Sequence, residues 1–311
     1  MRQTHHSILH SRYLARGVTL IELLVAMVIG LLLVIAASAT YLYSKNAYNT
    51  VSETSQMEEN GRFALNILSR YIQSAGFVML NPKAVNVQGA LINKISGCDF
   101  GLSNGTTASA VADVACRVAT PAGERQSASI SVFFDTDAFN TAGANFQGFN
   151  CIGNKPIETP ITDESGTVSF TQWQSRSHFF ISTFVSATSN GTVTRGQLSC
   201  VGESNAATGG PVTYEAQPLI PGIEQLAVNY LLPSPVSPKV AQRGQSASAV
   251  TVWGDVMAVE LCVLTRSIQS TSNETETEYR DCYDNVIPAT GNDSYRTFRT
   301  TVNLRNRTQA L

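Results

Sequence analysis

Charge is scarce in this chain. Only 14% of its 311 residues are charged, and from Leu23 to Tyr43 there is no charge at all. No proline occurs from Met1 to Asn81, and beyond the first ten residues the sole histidine is His178. Each shortage excludes something. Few charges, with frequent Ser, Thr, Asn and Gly, argue against a cytosolic helical enzyme and for an extracytoplasmic, β-rich domain with long polar loops. A net charge of −2 leaves no global nucleic-acid footprint. One histidine and no Cys-x-x-Cys argue against a zinc site. There is no Gly-x-Ser-x-Gly elbow, no His-Glu-x-x-His and no Walker A loop, so hydrolase and NTPase readings have no support. The expectation is a non-enzyme with no cofactor and no metal.

The proline-free stretch reads as one long helix from Val18 to about Ala75. Its lower half is apolar all round, as a membrane or filament-core helix must be. Its upper half carries a stripe of Ala64, Leu68, Tyr71, Ile72 and Ala75 at helical spacing, with Glu58, Glu59, Arg62, Asn66, Arg70 and Gln73 on the other side. That amphipathic half is expected to pack on a globular domain. Gly30 and Gly61 are expected soft points, Gly76 is the expected stop, and Pro82 forbids simple continuation.

Glu22 breaks the apolar run near its start. A charged side chain near the bilayer centre costs on the order of 3 kcal/mol or more, and such residues usually have a partner. If the chain is cut after Gly17, Val18 gains a cationic amine one helical turn from Glu22. In an assembly of such helices one subunit's amine could neutralise the next subunit's Glu22. An ordinary secretory signal would place its cut after the apolar core. A plain transmembrane anchor fits the length, and Arg2, Arg12 and Arg16 would keep the leader cytoplasmic, but neither explains Glu22 beside Gly17.

After Gly76 the periodicity shortens. Ser129 to Phe134, His178 to Val185, Thr192 to Val201, Glu224 to Leu232, Asp255 to Leu264 and Thr297 to Leu304 read as strands. From Val256 to Leu264 both faces are largely apolar, which predicts a central strand covered on one side by the helix. Polar links lie at Gly101 to Ala112, Asn140 to Asn154, Ser186 to Gly191, Ser204 to Pro211 and Pro233 to Ala249. Six cysteines, Cys98, Cys116, Cys151, Cys200, Cys262 and Cys282, all fall beyond the helix. An even number in an exported domain argues for disulfides. Sequence does not choose the pairing; the sequential set closes short loops and is preferred.

Other features have bland readings. Asp135-Thr136-Asp137 with Asn140 could supply oxygen ligands to calcium, but it lacks EF-hand spacing and reads as a turn. His178, beside Phe179 and Phe180, reads as structural. Arg296, Arg299, Arg305 and Arg307 read as a solvated strand face or a contact with acidic neighbours. Trp173 and Trp253 read as packing residues. Asn104 and Asn190 head glycosylation-like triplets that carry little meaning.

Gly17, Thr19-Leu20-Ile21, Glu22 and Leu23-Leu24-Val25 together resemble the type IV prepilin signature. That resemblance implies cleavage after Gly17 by prepilin peptidase, N-methylation of Val18 and polymerisation through the helix, with Glu22 as the assembly contact. A narrower resemblance rests on Glu59-Asn60-Gly61-Arg62-Phe63-Ala64, Ser69 to Phe77, Pro221-Gly222-Ile223-Glu224-Gln225-Leu226 with Tyr230, Val256 to Arg266, and Arg296 to Asn306. These are similar to motifs of the PilW-type minor pilins. The implied fold is α+β and pilin-like: a long N-terminal helix on a mainly antiparallel β-sheet domain with disulfide-bearing loops. The implied division is a leader over 1–17, a transmembrane or filament-core helix over 18–44, its amphipathic continuation over 45–76, and an extracytoplasmic domain over 77–311. The family implies a minor pilin that helps start pilus assembly, resident in the inner membrane and then at the cell surface in the pilus. Implied partners are other minor pilins, the major pilin, prepilin peptidase, the inner-membrane assembly platform and a tip adhesin. A type II secretion pseudopilin, and an adhesin or DNA-receptor role for the loops from Asn81 to Gly210, are the alternatives.

Overall fold

The computed structural model describes residues 17–77, 95–103, 115–136, 149–162, 168–188, 191–205, 212–234, 244–269, 277–289 and 293–306. Helix α1 starts because Thr19 caps it. The Thr19 hydroxyl accepts the Glu22 backbone N–H at 3.3 Å, and the Thr19 carbonyl accepts the Leu23 N–H at 3.1 Å. This is the arrangement that satisfies N–H groups left orphaned at a helix start. α1 then runs unbroken over Leu20–Ser74. The chain divides into two compact units, residues 1–49 and 50–311. In the first unit every described side chain from Gly17 to Lys45 is exposed.

In the second unit α1 buries Glu53, Met57, Gly61, Ala64, Leu68 and Ile72, one face at three- and four-residue spacing. The predicted stripe therefore begins more than two turns earlier than Ala64. Gly61 is a contact rather than a soft point: a Cβ there would run into the Phe298 ring. Past the helix, Gly76 takes φ +72°, a conformation that glycine adopts without penalty. Its N–H donates to the Phe133 carbonyl at 2.9 Å. The Asn306 amide reaches the carbonyls of Gln73, Ser74 and Ala75 at 3.3–3.4 Å, satisfying the last turn.

All described strand pairs are antiparallel. The larger sheet runs in the order β1 (Ile95–Cys98), β2 (Ser129–Asp135), β4 (Val168–Thr188), β5 (Gly191–Asn205), β6 (Val212–Pro221), with β3 (Ile157–Thr162) also on β4. The second sheet is β11 (Tyr295–Asn303), β8 (Ala258–Arg266), β7 (Ile223–Leu231), and β9 (Glu278–Arg280) pairs with β10 (Val286–Pro288). Each of the six predicted strands coincides with a strand. Two predicted links are shorter than expected, because β4 extends to Thr188 and β5 to Asn205. Residues 235–243, the middle of the expected link from Pro233 to Ala249, lie outside the described residues.

β8 is central, as expected. Val259, Leu261 and Val263 share the main core with Ala64, Leu68 and Ile72 of α1. Cys262 and Leu264 point to the other face and form a smaller core with Tyr279, Cys282 and Tyr295. The disulfides are the sequential set Cys98–Cys116, Cys151–Cys200 and Cys262–Cys282. They tie β1, β5 and β8 to the irregular chain beside them, each contributing about 2–4 kcal/mol where such bonds have been removed.

Candidate functional site

The N-terminal residues stand as a short non-helical lead and a capped start. Gly17 and Val18 precede α1 and are exposed, and among the described residues nothing beyond its chain neighbours lies within 4 Å of where a Gly17 Cβ would be. Glu22 sits in the first helical turn, where a carboxylate faces the positive end of the helix dipole. Thr19-x-x-Glu22 is a capping signature that marks this start in the sequence.

In the domain, polar side chains fasten the helix to the sheets. The Glu53 carboxylate accepts the N–H groups of Ile268 and Gln269 at 3.1 and 3.2 Å, holding the chain just past β8. The Asn60 amide donates to the Pro221 carbonyl at 3.1 Å. Glu224 accepts the Gly196 N–H at 3.0 Å, joining β7 to β5. Gln225, buried, donates to the Gln126 carbonyl and accepts the Cys282 N–H, both at 2.9 Å.

A buried charge cluster lies beside Glu224. Arg195 of β5 has a side chain with 0% exposure. It forks onto Asp293, both bonds at 2.9 Å. Arg266 of β8 donates through Nε to the same carboxylate at 2.9 Å and lies 3.7 Å from Glu224. Its guanidinium stands 5.6 Å over Tyr295, which stacks on Tyr279 at 4.0 Å. Arg125 bonds the Tyr279 hydroxyl and lies over the same pair of rings. Burial would raise the Asp293 pKa, but the bonds from Arg195 and Arg266 outweigh it and hold the carboxyl below its usual range. Burial would lower the Arg266 pKa, and the bond from Asp293 with the charge of Glu224 pushes it up instead. Arg195, Arg266, Arg125 and Glu224 line a cleft of about 560 Å³. Sequence inspection singled out none of the cluster as a site.

His178 is buried in a second polar cluster. Its Nδ1 is 2.7 Å from the Ser131 hydroxyl and its Nε2 2.6 Å from Glu203. Arg176 lies 3.4 Å from Glu203, and the Phe133 ring packs edge-on against the imidazole at 5.6 Å. Burial would raise the Glu203 pKa, but the hydrogen bond and charge of His178, with those of Arg176, outweigh it and hold the carboxyl low.

Asp135 is buried at the end of β2 and accepts from Gln174 at 3.4 Å; Asp137 and Asn140, the rest of the calcium reading, lie outside the described residues. Among the described residues no cluster of His, Cys, Asp or Glu could hold a metal ion. Arg299 bonds Asp284 at 2.7 Å, the acidic neighbour expected of the C-terminal arginines. Arg296 is exposed on β11, Arg305 follows that strand, and Arg307 lies outside the described residues, as do Asn104 and Asn190. Trp253 packs edge-on to Tyr230 at 4.9 Å, and Trp173 lies half-buried in β4.

A long apolar N-terminal helix, antiparallel sheets and three disulfides are consistent with an α+β, pilin-like fold. Residues 12–38 match the prokaryotic N-terminal methylation motif, and residues 179–306 match the family of type IV pilus-assembly protein W. Both matches are those expected of a PilW-type pilin, and the methylation motif with the apolar helix fits a pilin anchored in the inner membrane and later incorporated into the pilus. No curated protein and no solved structure matches it. The second matched region contains Arg195, Glu224, Gln225, Arg266, Asp293, Phe298 and Asn306. Their helix-side counterparts Glu53, Asn60 and Gly61 fall outside both matched regions.

Proposed function

We propose that this chain is a minor pilin that helps initiate type IV pilus assembly and is then built into the fibre, with a structural rather than catalytic role. Residues 1–17 are a leader that prepilin peptidase removes between Gly17 and Val18, and the new Val18 amine is methylated. Residues 18–44 span the membrane and later enter the filament core, 45–76 continue the helix, and 77–311 form the exported domain. The partners are the other minor pilins, the major pilin, the assembly platform and a tip adhesin.

Glu22 is the observation that carries this reading. It is the single carboxylate in an exposed apolar run, presented at a capped helix start. Beside a neighbouring subunit's N-terminal amine, low dielectric strengthens their attraction and makes either charge costly alone. Glu22→Ala removes the attraction and leaves the neighbour's amine unpaired. Membrane insertion and the domain fold should be unchanged, and surface pili should be few or absent. Glu22→Asp should be intermediate, because the charge stays and its reach shortens. Pili are counted by electron microscopy at matched membrane levels of the protein; wild-type piliation in Glu22→Ala would refute the assembly role.

A further inference from the structure

Among the described residues the outer edge of β11 has no partner strand. Ser294 and Leu304 both turn backbone groups towards the β8 side, the Ser294 carbonyl accepting Ser267 N–H and the Leu304 N–H reaching Met257. The register between them is regular. In an antiparallel ladder alternate residues face alternate sides. Thr297, Arg299, Thr301 and Asn303 therefore turn their N–H and C=O groups away from β8, and among the described residues no strand pairs with them. Natural edges are blunted by charged side chains, proline, a bulge, brevity or a covering element. β11 carries Arg296 and Arg299 but no proline and no bulge over its nine residues.

A groove of about 500 Å³ runs between this strand and α1. Leu65 and Phe298 contribute its apolar surface, and Arg62 and Arg70 of α1 its charge; the Arg299 guanidinium lies on the other face, at Asp284 and the Cys282 carbonyl. Arg62 lies 3.8 Å from Glu58, an exposed pair. Such pairs contribute little and exchange readily for a better partner.

We propose that the β11 edge and this groove form a strand-addition site for an extended, carboxylate-bearing segment of a neighbouring pilin subunit. The outward-facing backbone supplies the ladder, and Arg62 and Arg70 select the acidic side chains. This rests on the reading of the chain as a pilus subunit, since that supplies the neighbour.

The test places a photo-crosslinking phenylalanine at Thr300 in the full chain, in piliated cells, and sequences the linked peptide. An acidic extended segment of another pilin is the expected product. Arg62→Glu with Arg70→Glu should abolish the link. Thr301→Pro removes one outward N–H and no β8 bond, and should lower the yield about five-fold, the effect of one net hydrogen bond. Thr301→Val, which keeps that N–H, should leave the yield unchanged and serves as the folding control. Linkage to lipid, to a neighbour's apolar helix or to nothing overturns the proposal. So does linkage that survives the double arginine reversal. None of those results alters the effect of Glu22→Ala on piliation, so the two readings fail separately.

Discussion

Asp293→Asn should be among the most destabilising single substitutions in the domain. The Asp293 carboxylate accepts two bonds from Arg195 and one from Arg266 Nε, all at 2.9 Å, and a fourth from Arg266 Nη2 at 2.5 Å. Arg195 has little else: its Nε has no hydrogen-bond partner among the described residues, and its side chain has 0% exposure. Arg266 keeps Glu224 at 3.7 Å, so its loss is partly covered and Arg195 bears the damage. Breaking a buried pair from one side costs about 3–5 kcal/mol, against about 5–15 kcal/mol for a whole domain. Adding Arg195→Met removes the stranded charge, so the double variant should be more stable than Asp293→Asn alone, by about 2 kcal/mol if the buried pair is near neutral overall. Urea unfolding of the oxidised full chain in detergent at pH 7, followed by tryptophan fluorescence, gives both numbers. A single-variant loss below about 1 kcal/mol would refute the argument, and so would a double variant as unstable as the sum of the singles.

Acid should weaken the domain through the same carboxylate and through Glu203. Both have folded pKa values below their ordinary ones. Their contribution is therefore full above the unfolded carboxylate value of about 4 and is lost as pH falls through the lower folded value. The urea midpoint should hold between pH 7 and 5 and drop below about pH 4, and an unchanged midpoint at pH 3 would contradict this. Gly61→Val should destabilise by about 1–3 kcal/mol, because the new side chain meets the Phe298 ring and overpacking carries that cost. Phe298→Ala should relieve part of the loss, which thermal melts of the two singles and the double would reveal.

The helix and the apolar strands were legible because each carries one dominant period. Leu68 and Ile72 mark a helical face, and β8 shows a short apolar run between polar links. Shorter and more peripheral strands hid for identifiable reasons. β1 has four residues, and β3 and β6 contain Pro160 and Pro218. Proline argues against a central strand, but β6 ends the larger sheet and β3 lies off its main path, where a missing N–H is tolerated. The charge cluster was illegible for another reason. Arg195 and Asp293 are 98 residues apart, and Glu53 meets Ile268 across 215. No local spacing reports such pairs. The family-like segments did contain several of the residues that make them, but as motifs without roles.

Ser131, His178 and Glu203 show how far geometry alone can mislead. A hydroxyl, an imidazole and a carboxylate stand in hydrogen-bonding line at 2.7 and 2.6 Å, the order of a nucleophile, its base and the group that orients the base. Catalysis also requires an opening for substrate and donors aimed at the developing charge. All three residues are buried, and none lines a described cleft. Each outer member is fixed elsewhere: Ser131 lies on β2 paired to His178 on β4, and Glu203 on β5 lies near Arg176 while its carbonyl accepts the Asn150 amide at 3.1 Å. The line therefore crosses three neighbouring strands, and its chemical consequence is register. Slipping β4 by one residue against either neighbour would carry His178 to the opposite face and strand a buried carboxylate. That penalty is what this arrangement supplies to the long β4–β5 hairpin, alongside the buried Phe179, Phe180 and Leu198.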